Sequence, residues 1–368
     1  MSKLKDRNVS HLCYHYQIPI LGIHCSGNAM KCNFKSILYI SITLICSQFA
    51  HATDEINVYS ARKEAYIKPL LDQFGQAHNV QINLITAKAD ALIQRLLKEG
   101  KNTPADVFIT VDAGRLHRAK HAGLLQAIKD PAILSQVPHQ YQDADAQWVG
   151  LSVRARTLAY RHKNVKKEEL SSYEALTDAN WKNRICIRSS NNIYNQSLVA
   201  SMLAHHGEQA TQAWANGLVA NFARKPQGGD RDQIKALAAG QCDLAVINTY
   251  YLGKMMTADA GQQAAASEAT LFWANQDDRG VHVNVSGIGI TAHSKHPELA
   301  SKLVAFLLTD ASQAWYGEIN LEYPVRKGIE INDILQQWGP FKADALNLTR
   351  LGELNAEAVR IMDRAGWR

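Results

Sequence analysis

Three tyrosines stand at the ends of two apolar segments of the sequence. Tyr250 and Tyr251 follow the aliphatic residues 244–247 after Asn248 and Thr249, and Tyr194 lies in the polar segment that follows residues 184–188. Runs of β-branched and aliphatic residues bounded by Asn, Thr and Gly predict buried strands that end in loops. Ligands of open α/β sheets bind beyond the carboxyl ends of the strands. The three phenols are therefore placed where they could converge on one site.

A cluster of phenols has a definite metal preference. Phenolate oxygen is a hard, anionic ligand, so tyrosines without an accompanying Cys-His pattern favour a hard, highly charged cation such as Fe³⁺. The metal must lower the pKa of each phenol from about 10 for this to work at neutral pH. Adjacent tyrosines at a strand end also occur as ordinary packing residues. The residue types alone leave both roles open.

The elements that would position these tyrosines alternate between strand and helix. In chain order, the patterns predict strand 56–59, helix 67–76, strand 80–86, helix 91–99 and strand 105–110. This is the βαβ rhythm of a doubly wound sheet. Residues 148–160 predict a long strand that crosses from one lobe to another, and residues 283–290 predict a return strand.

Motifs spread along the chain are similar to those of the periplasmic ferric-iron-binding proteins of ABC importers. They lie, in chain order, at residues 58–62, 148–156, 193–198, 228–235, 248–253 and 320–325. Their common order and spacing are more specific than any single motif. The resemblance implies an α/β fold with two lobes, the type II clamshell of periplasmic binding proteins, in which doubly wound sheets are joined by hinge crossings and close around the ligand.

The same resemblance implies the domain organisation and the function. The N-terminal lobe would comprise residues 53–153 with about 280–330, the C-terminal lobe about 154–279, and the helices of residues 331–368 would pack on one lobe. The protein would be a receptor and not an enzyme, expected to be a monomer. It would capture Fe(III), bare or as a ferric chelate, and deliver it to an inner-membrane ABC permease and its ATPase.

The resemblance also implies which residues bind the metal, namely Tyr194, Tyr250 and Tyr251 of the second lobe. Several family members add a His-Tyr pair immediately after the arginine of a Tyr-Ser-x-Arg motif, and Lys63 and Glu64 occupy those positions here. Lysine should not bind Fe³⁺. Glu64 could offer a carboxylate oxygen, or it could simply be an acid favoured at a helix start. Tyr66 is a further candidate.

Three phenolates leave about half of the positions around an octahedral Fe³⁺ open. A synergistic anion such as carbonate, as in some relatives, could occupy two of them. Arg62 and Arg154 would be its partners, because a guanidinium fork matches a planar oxyanion. Either arginine could instead form a salt bridge at the surface or between the lobes.

The first fifty-two residues have the pattern of a signal peptide. A basic segment begins at Met30, an apolar segment covers residues 37–46, and small residues flank His51, which predicts cleavage after Ala52. Translation could begin at Met30. The leader holds five Lys and Arg residues and one acid, so the whole-chain charge of +6 falls to +2 without it. We therefore expect an exported, periplasmic protein with no strongly basic face for nucleic acid.

Two of the six cysteines, Cys186 and Cys242, lie after the leader. Each precedes a tyrosine of the predicted cluster by eight residues, so neighbouring parallel strands would place the two sulfurs level with one another. An oxidising compartment makes a disulfide plausible. We favour this bridge over a pair of buried free thiols.

Two other function classes remain open. A receptor of the same fold could bind an organic anion without metal, using Arg62, Arg154 and the serines Ser189 and Ser190. An exported metal-dependent hydrolase could use His117 and His121, which lie four residues apart on a predicted helix. No glutamate follows the first histidine as a zincin would need, so the hydrolase has the weaker support.

Overall fold

The computed structural model describes residues 54–368. The predicted signal peptide, residues 1–52, and its cleavage site after Ala52 lie outside the described residues. Within residues 54–368, no helix is both long and apolar enough to cross a membrane.

The strands of the described region form a mixed sheet. They are β1 (Asp54–Ser60), β2 (Val80–Thr86), β3 (Val107–Val111), β4 (Leu125–Gln126), β5 (Val149–Tyr160), β6 (Ile185–Cys186), β7 (Leu244–Asn248), β8 (Thr270–Phe272), β9 (Val283–Thr291) and β10 (Tyr323–Pro324). The order is β2-β1-β3-β9-β5-β7-β6, with β4 on β9 and both β8 and β10 on β5. β1 pairs in parallel with β2 and β3, and β6 pairs in parallel with β7.

Helices cover the faces of this sheet, as the alternating pattern predicts. The α-helices of residues 54–368 are α1 (Lys68–His78), α2 (Ala89–Glu99), α3 (Ala113–His121), α4 (Pro131–Gln136), α5 (Ile193–Ala220), α6 (Asp230–Ala238), α7 (Thr249–Met256), α8 (Ala260–Ser267), α9 (Pro297–Leu307), α10 (Asp310–Trp315), α11 (Asp333–Gln337), α12 (Thr349–Glu353) and α13 (Asn355–Arg364). The backbone of α5 breaks at Gly207, where φ is 75°.

Strand β5 connects two halves of the sheet. Its residues from Val149 to Ala155 pair antiparallel with β9, whereas those from Arg156 to Tyr160 pair antiparallel with β7. We call β1–β4, β9, β10 and the start of β5 the first lobe, and β6–β8 with the end of β5 the second lobe. Both β5 and β9 are buried along their whole length. The long crossing strand predicted at residues 148–160 is thus present, with its two halves in different lobes.

The C-terminal helices pack on α3, which follows β3 of the first lobe, and on α5, which follows β6 of the second lobe. Helix α12 packs against α3 of the first lobe and α5 of the second, and α13 packs against α5. The side-chain amide of Asn347 donates to the carbonyl of His139 at 2.9 Å, and the indole N–H of Trp367 donates to the carbonyl of Arg188 at 2.9 Å. The spacing of apolar residues in this tail predicts helices, but it does not show which surface of the protein these helices pack against.

Candidate metal centre

Each tyrosine of the predicted cluster lies in the first turn of a helix. Tyr250 and Tyr251 belong to α7, which begins directly after β7, and Tyr194 is the second residue of α5. A helix therefore replaces the loop expected after residues 244–247, whereas the polar loop expected from Ser189 is present but ends at Asn192, before Tyr194. Asn192 caps α5 by accepting the backbone N–H of Tyr194 at 3.1 Å, which allows the helix to start within the polar segment. Helix N-termini carry positive partial charge, so they favour the phenolate form.

The three phenols converge on one cavity of about 230 Å³ between the lobes. The hydroxyl oxygens of Tyr194 and Tyr250 lie 3.4 Å apart. The ring centroids of Tyr250 and Tyr251 are 4.2 Å apart. Tyr250 is buried, whereas Tyr194 and Tyr251 are partly exposed to the cavity. The oxygens therefore form a compact set of hard ligands on one wall.

The surroundings of Tyr250 and Tyr251 keep their phenols protonated when no cation is bound. Burial, and then the neighbouring Tyr194 and Tyr251, raise the pKa of Tyr250 well above its ordinary value. Burial is also the largest cause that raises the pKa of Tyr251 to about 12. Ionising adjacent phenols would place like charges side by side, so a bound cation has to offset both the burial and the repulsion.

Arg62 and Arg154 line the same cavity, but they share a buried carboxylate. Both Nη atoms of Arg62 donate to Glu322 at 3.2 Å, and Nη2 of Arg154 donates to Glu322 at 3.1 Å. Both arginines also donate to the hydroxyl of Ser286, and Ser152 donates to Glu322. Burial raises the pKa of Glu322, but Arg154 and Arg62 outweigh it and lower the pKa to about 2. Two guanidinium charges thus face one carboxylate, and one net positive charge remains at the cavity.

Glu322 was not singled out from the sequence, although it lies in the recognised motif of residues 320–325. Its partner Arg62 is 260 residues away in the chain, so no local pattern could pair them. Lys254 and Arg231 were also missed. Burial lowers the pKa of Lys254 to about 7, and the guanidinium carbon of Arg231 lies 5.4 Å from the ring centroid of Tyr251. The cavity is therefore lined by more basic side chains than expected.

Arg156 connects the N-terminal ends of α5 and α6 with the end of β7 through hydrogen bonds. Its Nη1 donates to Asp230 of α6 at 3.3 Å and to Asn248 at 3.1 Å, and its Nη2 donates to Asn195 of α5 at 2.5 Å. Asp230 in turn accepts the backbone N–H of Asn248 at 2.9 Å. Charged hydrogen bonds are stronger than neutral ones. This network holds α5, α6 and the end of β7 in a fixed arrangement.

Of the remaining candidates of the sequence, Tyr66 lies at the cavity, whereas Glu64, Ser189 and Ser190 do not. Glu64 is exposed and is not part of the cavity lining, whereas Lys63 and Tyr66 are. Ser189 and Ser190 do not line the cavity either. The structure therefore does not bring either serine to the arginines.

The imidazole rings of His117 and His121 lie on one helix face with their centroids 6.2 Å apart. Within residues 54–368, no group of three or more His, Cys, Asp and Glu side chains is arranged to hold a metal. The hydrolase alternative thus gains no site from the described part of the chain.

Cys186 and Cys242 are joined by a disulfide, with their Cα atoms 5.8 Å apart. Both are buried. The register of β6 and β7 pairs Cys186 with Ala245, and Cys242 lies two residues before β7. The two cysteines are therefore bridged without being level in the parallel pairing that the equal spacing to the tyrosines predicts.

Comparison with known proteins gives consistent matches over most of the chain. The family model described as bacterial extracellular solute-binding protein matches residues 102–343. Iron uptake protein A1 of Synechocystis is 44% identical over 315 residues, which is 85% of this chain and 88% of that protein. The major ferric iron-binding protein of Neisseria meningitidis is 26% identical over 338 residues, covering 90% and 99% of the two chains.

Solved structures match equally well. A Trichodesmium protein (IdiA, FutA) in complex with iron and citrate ligands has a TM-score of 0.84 and 43% identity, with 85% of this chain and 100% of that chain covered. The same two-lobe α/β architecture is therefore present in this chain.

Proposed function

Because the chain belongs to the family of bacterial extracellular solute-binding proteins, we propose that it captures Fe(III) in the periplasm and delivers it to an inner-membrane ABC permease and its ATPase. The ligands would be the phenol oxygens of Tyr194, Tyr250 and Tyr251. The observation that carries this proposal is the convergence of these three phenols on one cavity, with two hydroxyl oxygens 3.4 Å apart. Its relatives include an iron uptake protein and a structure that holds iron and citrate.

The chemistry of the site favours a trivalent cation. Each phenol loses its proton to solvent as its oxygen binds the metal, and three phenolates neutralise the charge of Fe³⁺. Because burial and mutual repulsion raise the pKa values of Tyr250 and Tyr251, a weakly polarising cation would not ionise them. Affinity should also fall on acidification, since protons compete with the metal for the same oxygens.

Carbonate remains the proposed synergistic anion, with Arg62 and Arg154 as its partners. Three phenolates leave about half of the octahedral positions of Fe³⁺ open. The net positive charge of the two arginines and Glu322 supports an anion at this place. Carbonate would have to share the guanidinium groups with the Glu322 carboxylate.

The test is the visible phenolate-to-iron charge-transfer band. The protein that begins at Thr53 is mixed with ferric citrate, and we expect an orange to red colour. The triple variant Tyr194→Phe, Tyr250→Phe, Tyr251→Phe should lose both the band and the iron, whereas Tyr160→Phe, a buried tyrosine outside the cavity, should keep them. Full colour in the triple variant would refute the ligand assignment, and an organic anion bound without metal would give no band.

A further inference from the structure

A fourth tyrosine faces the same cavity from the opposite lobe. Tyr66 is the last residue of a short 3₁₀ helix, Glu64–Tyr66, that follows β1 of the first lobe. It lines the cavity together with Tyr194, Tyr250 and Tyr251. Glu64, two residues earlier, is exposed and does not line the cavity. This short helix therefore presents the phenol of Tyr66 to the cavity and not the carboxylate of Glu64.

Tyr66 is held against the second lobe by a cation. Nζ of Lys254, on the helix that bears Tyr250, lies 3.2 Å from the ring centroid of Tyr66 and 5.8 Å from that of Tyr250. The backbone carbonyl of Tyr66 accepts from the side-chain amide of Asn320 at 3.3 Å. An ammonium over a phenol ring is an attractive contact. Lys254 thus holds the ring of Tyr66, and Asn320 holds its backbone.

The polar ends of both side chains are available for a ligand. Among residues 54–368, the hydroxyl of Tyr66 has no hydrogen-bond partner and Lys254 has no carboxylate within salt-bridge distance. A protonated Lys254 over the ring would attract a phenolate formed at Tyr66.

We propose that Tyr66 is a fourth phenol ligand, supplied by the first lobe, and that Lys254 is the positioning residue that holds its ring and balances its charge. This rests on the proposed function. The hydroxyl proton of Tyr66 leaves to solvent as its oxygen binds the metal, so loading the site converts four phenols to phenolates. Tyr66 would then fill the first-lobe position that Lys63 and Glu64 leave open, and closure of the lobes would complete the site.

The number of phenolates can be counted without iron. Ga³⁺, supplied as its nitrilotriacetate complex, is colourless, so the ultraviolet difference band of tyrosinate reports each phenol that ionises. Tyr66→Phe should lower the saturating amplitude by about one quarter, because one of four phenols is lost. Glu64→Gln and Tyr160→Phe are the controls and should keep the full amplitude. Thermal unfolding of the metal-free variants checks that each is folded.

The results of this titration distinguish a failure of the Tyr66 proposal from a failure of the proposed function. An unchanged amplitude in Tyr66→Phe, together with loss of the band in the triple variant of the second lobe, would leave a three-phenol site and overturn the role of Tyr66. Retention of the full band in that triple variant would overturn both proposals.

The role of Lys254 has its own readout. Lys254→Met should weaken Ga³⁺ binding about tenfold, the effect of one lost close charge interaction, and Lys254→Arg should restore most of it. Equal affinity of Lys254→Met and the unaltered protein would show that Lys254 does not support the site.

Discussion

Glu322 is the acid on which the charge balance of the cavity depends. It is buried between Arg62 and Arg154, which are 5% and 1% exposed, and no other carboxylate contacts either guanidinium in the described region. Removing one partner of a buried ion pair leaves an uncompensated charge, which usually costs more than the pair itself contributes.

Glu322→Gln should therefore lower the free energy of unfolding by about 3 kcal/mol. The matched control is Glu318→Gln, an exposed acid four residues earlier, for which we expect a change of less than about 0.5 kcal/mol. Urea unfolding followed by circular dichroism measures both. The folded state lowers the pKa of Glu322 to about 2, so its stabilisation is present above about pH 4.5 and is lost as the pH falls towards 2. Equal urea midpoints for the two variants would contradict the assignment.

Helix α7 carries two of the phenols, and its position depends on close packing behind it. A Cβ atom at Gly253 would lie 2.8 Å from Cδ1 of Leu321 and 3.1 Å from Cη2 of Trp338. Leu321 precedes Glu322, and Trp338 follows α11 of the tail. Helix α7 of the second lobe thus packs directly against the segment of the first lobe that contains Glu322.

Gly253→Ala should destabilise the protein by about 1–3 kcal/mol through overpacking, although alanine is the better helix former. It should also weaken iron binding, because the first turn of α7 has to shift. Gly261→Ala in the exposed helix α8 is the matched control, since its Cβ would meet nothing closer than 3.4 Å. There we expect a gain of about 0.5–1 kcal/mol. Thermal unfolding and iron competition titrations test the pair, and a stabilising Gly253→Ala would show that α7 moves freely.

Strand β5 connects the two lobes, and a disulfide cross-links the second lobe. The disulfide between Cys186 and Cys242 closes a loop with a sequence separation of 56. In the chain-entropy model a loop of this size contributes about 4 kcal/mol, because it restricts the unfolded chain.

The variant Cys186→Ser, Cys242→Ser should therefore unfold with a free energy lower by about 4 kcal/mol, and a thiol reductant should destabilise the unaltered protein by a similar amount. The reductant should have no effect on the variant, which is the internal control. Urea unfolding with and without reductant gives the comparison. A midpoint of the unaltered protein that does not respond to reductant would mean that the bridge adds nothing to stability.

Elements with strong local periodicity were predicted closely. Strand 80–86 is Val80–Thr86, the return strand at 283–290 is Val283–Thr291, and the crossing strand at 148–160 is Val149–Tyr160. The helix predicted at 91–99 starts two residues earlier, at Ala89. Apolar residues repeat with the period of the element that buries them, so this information is local to each segment.

The contacts between distant segments depended on the three-dimensional arrangement. The order of strands brings Glu322 to Arg62 and sets Lys254 of one lobe over Tyr66 of the other. The exposure of Glu64 and the start of a helix at Thr249 were likewise not predicted from the residues of their own segments. Periodicity shows which face of a strand or helix is buried, but it does not show which face of another element covers it. The residue types of the site could therefore be recognised in the sequence. The residues that contact them became known only from the packing of the lobes.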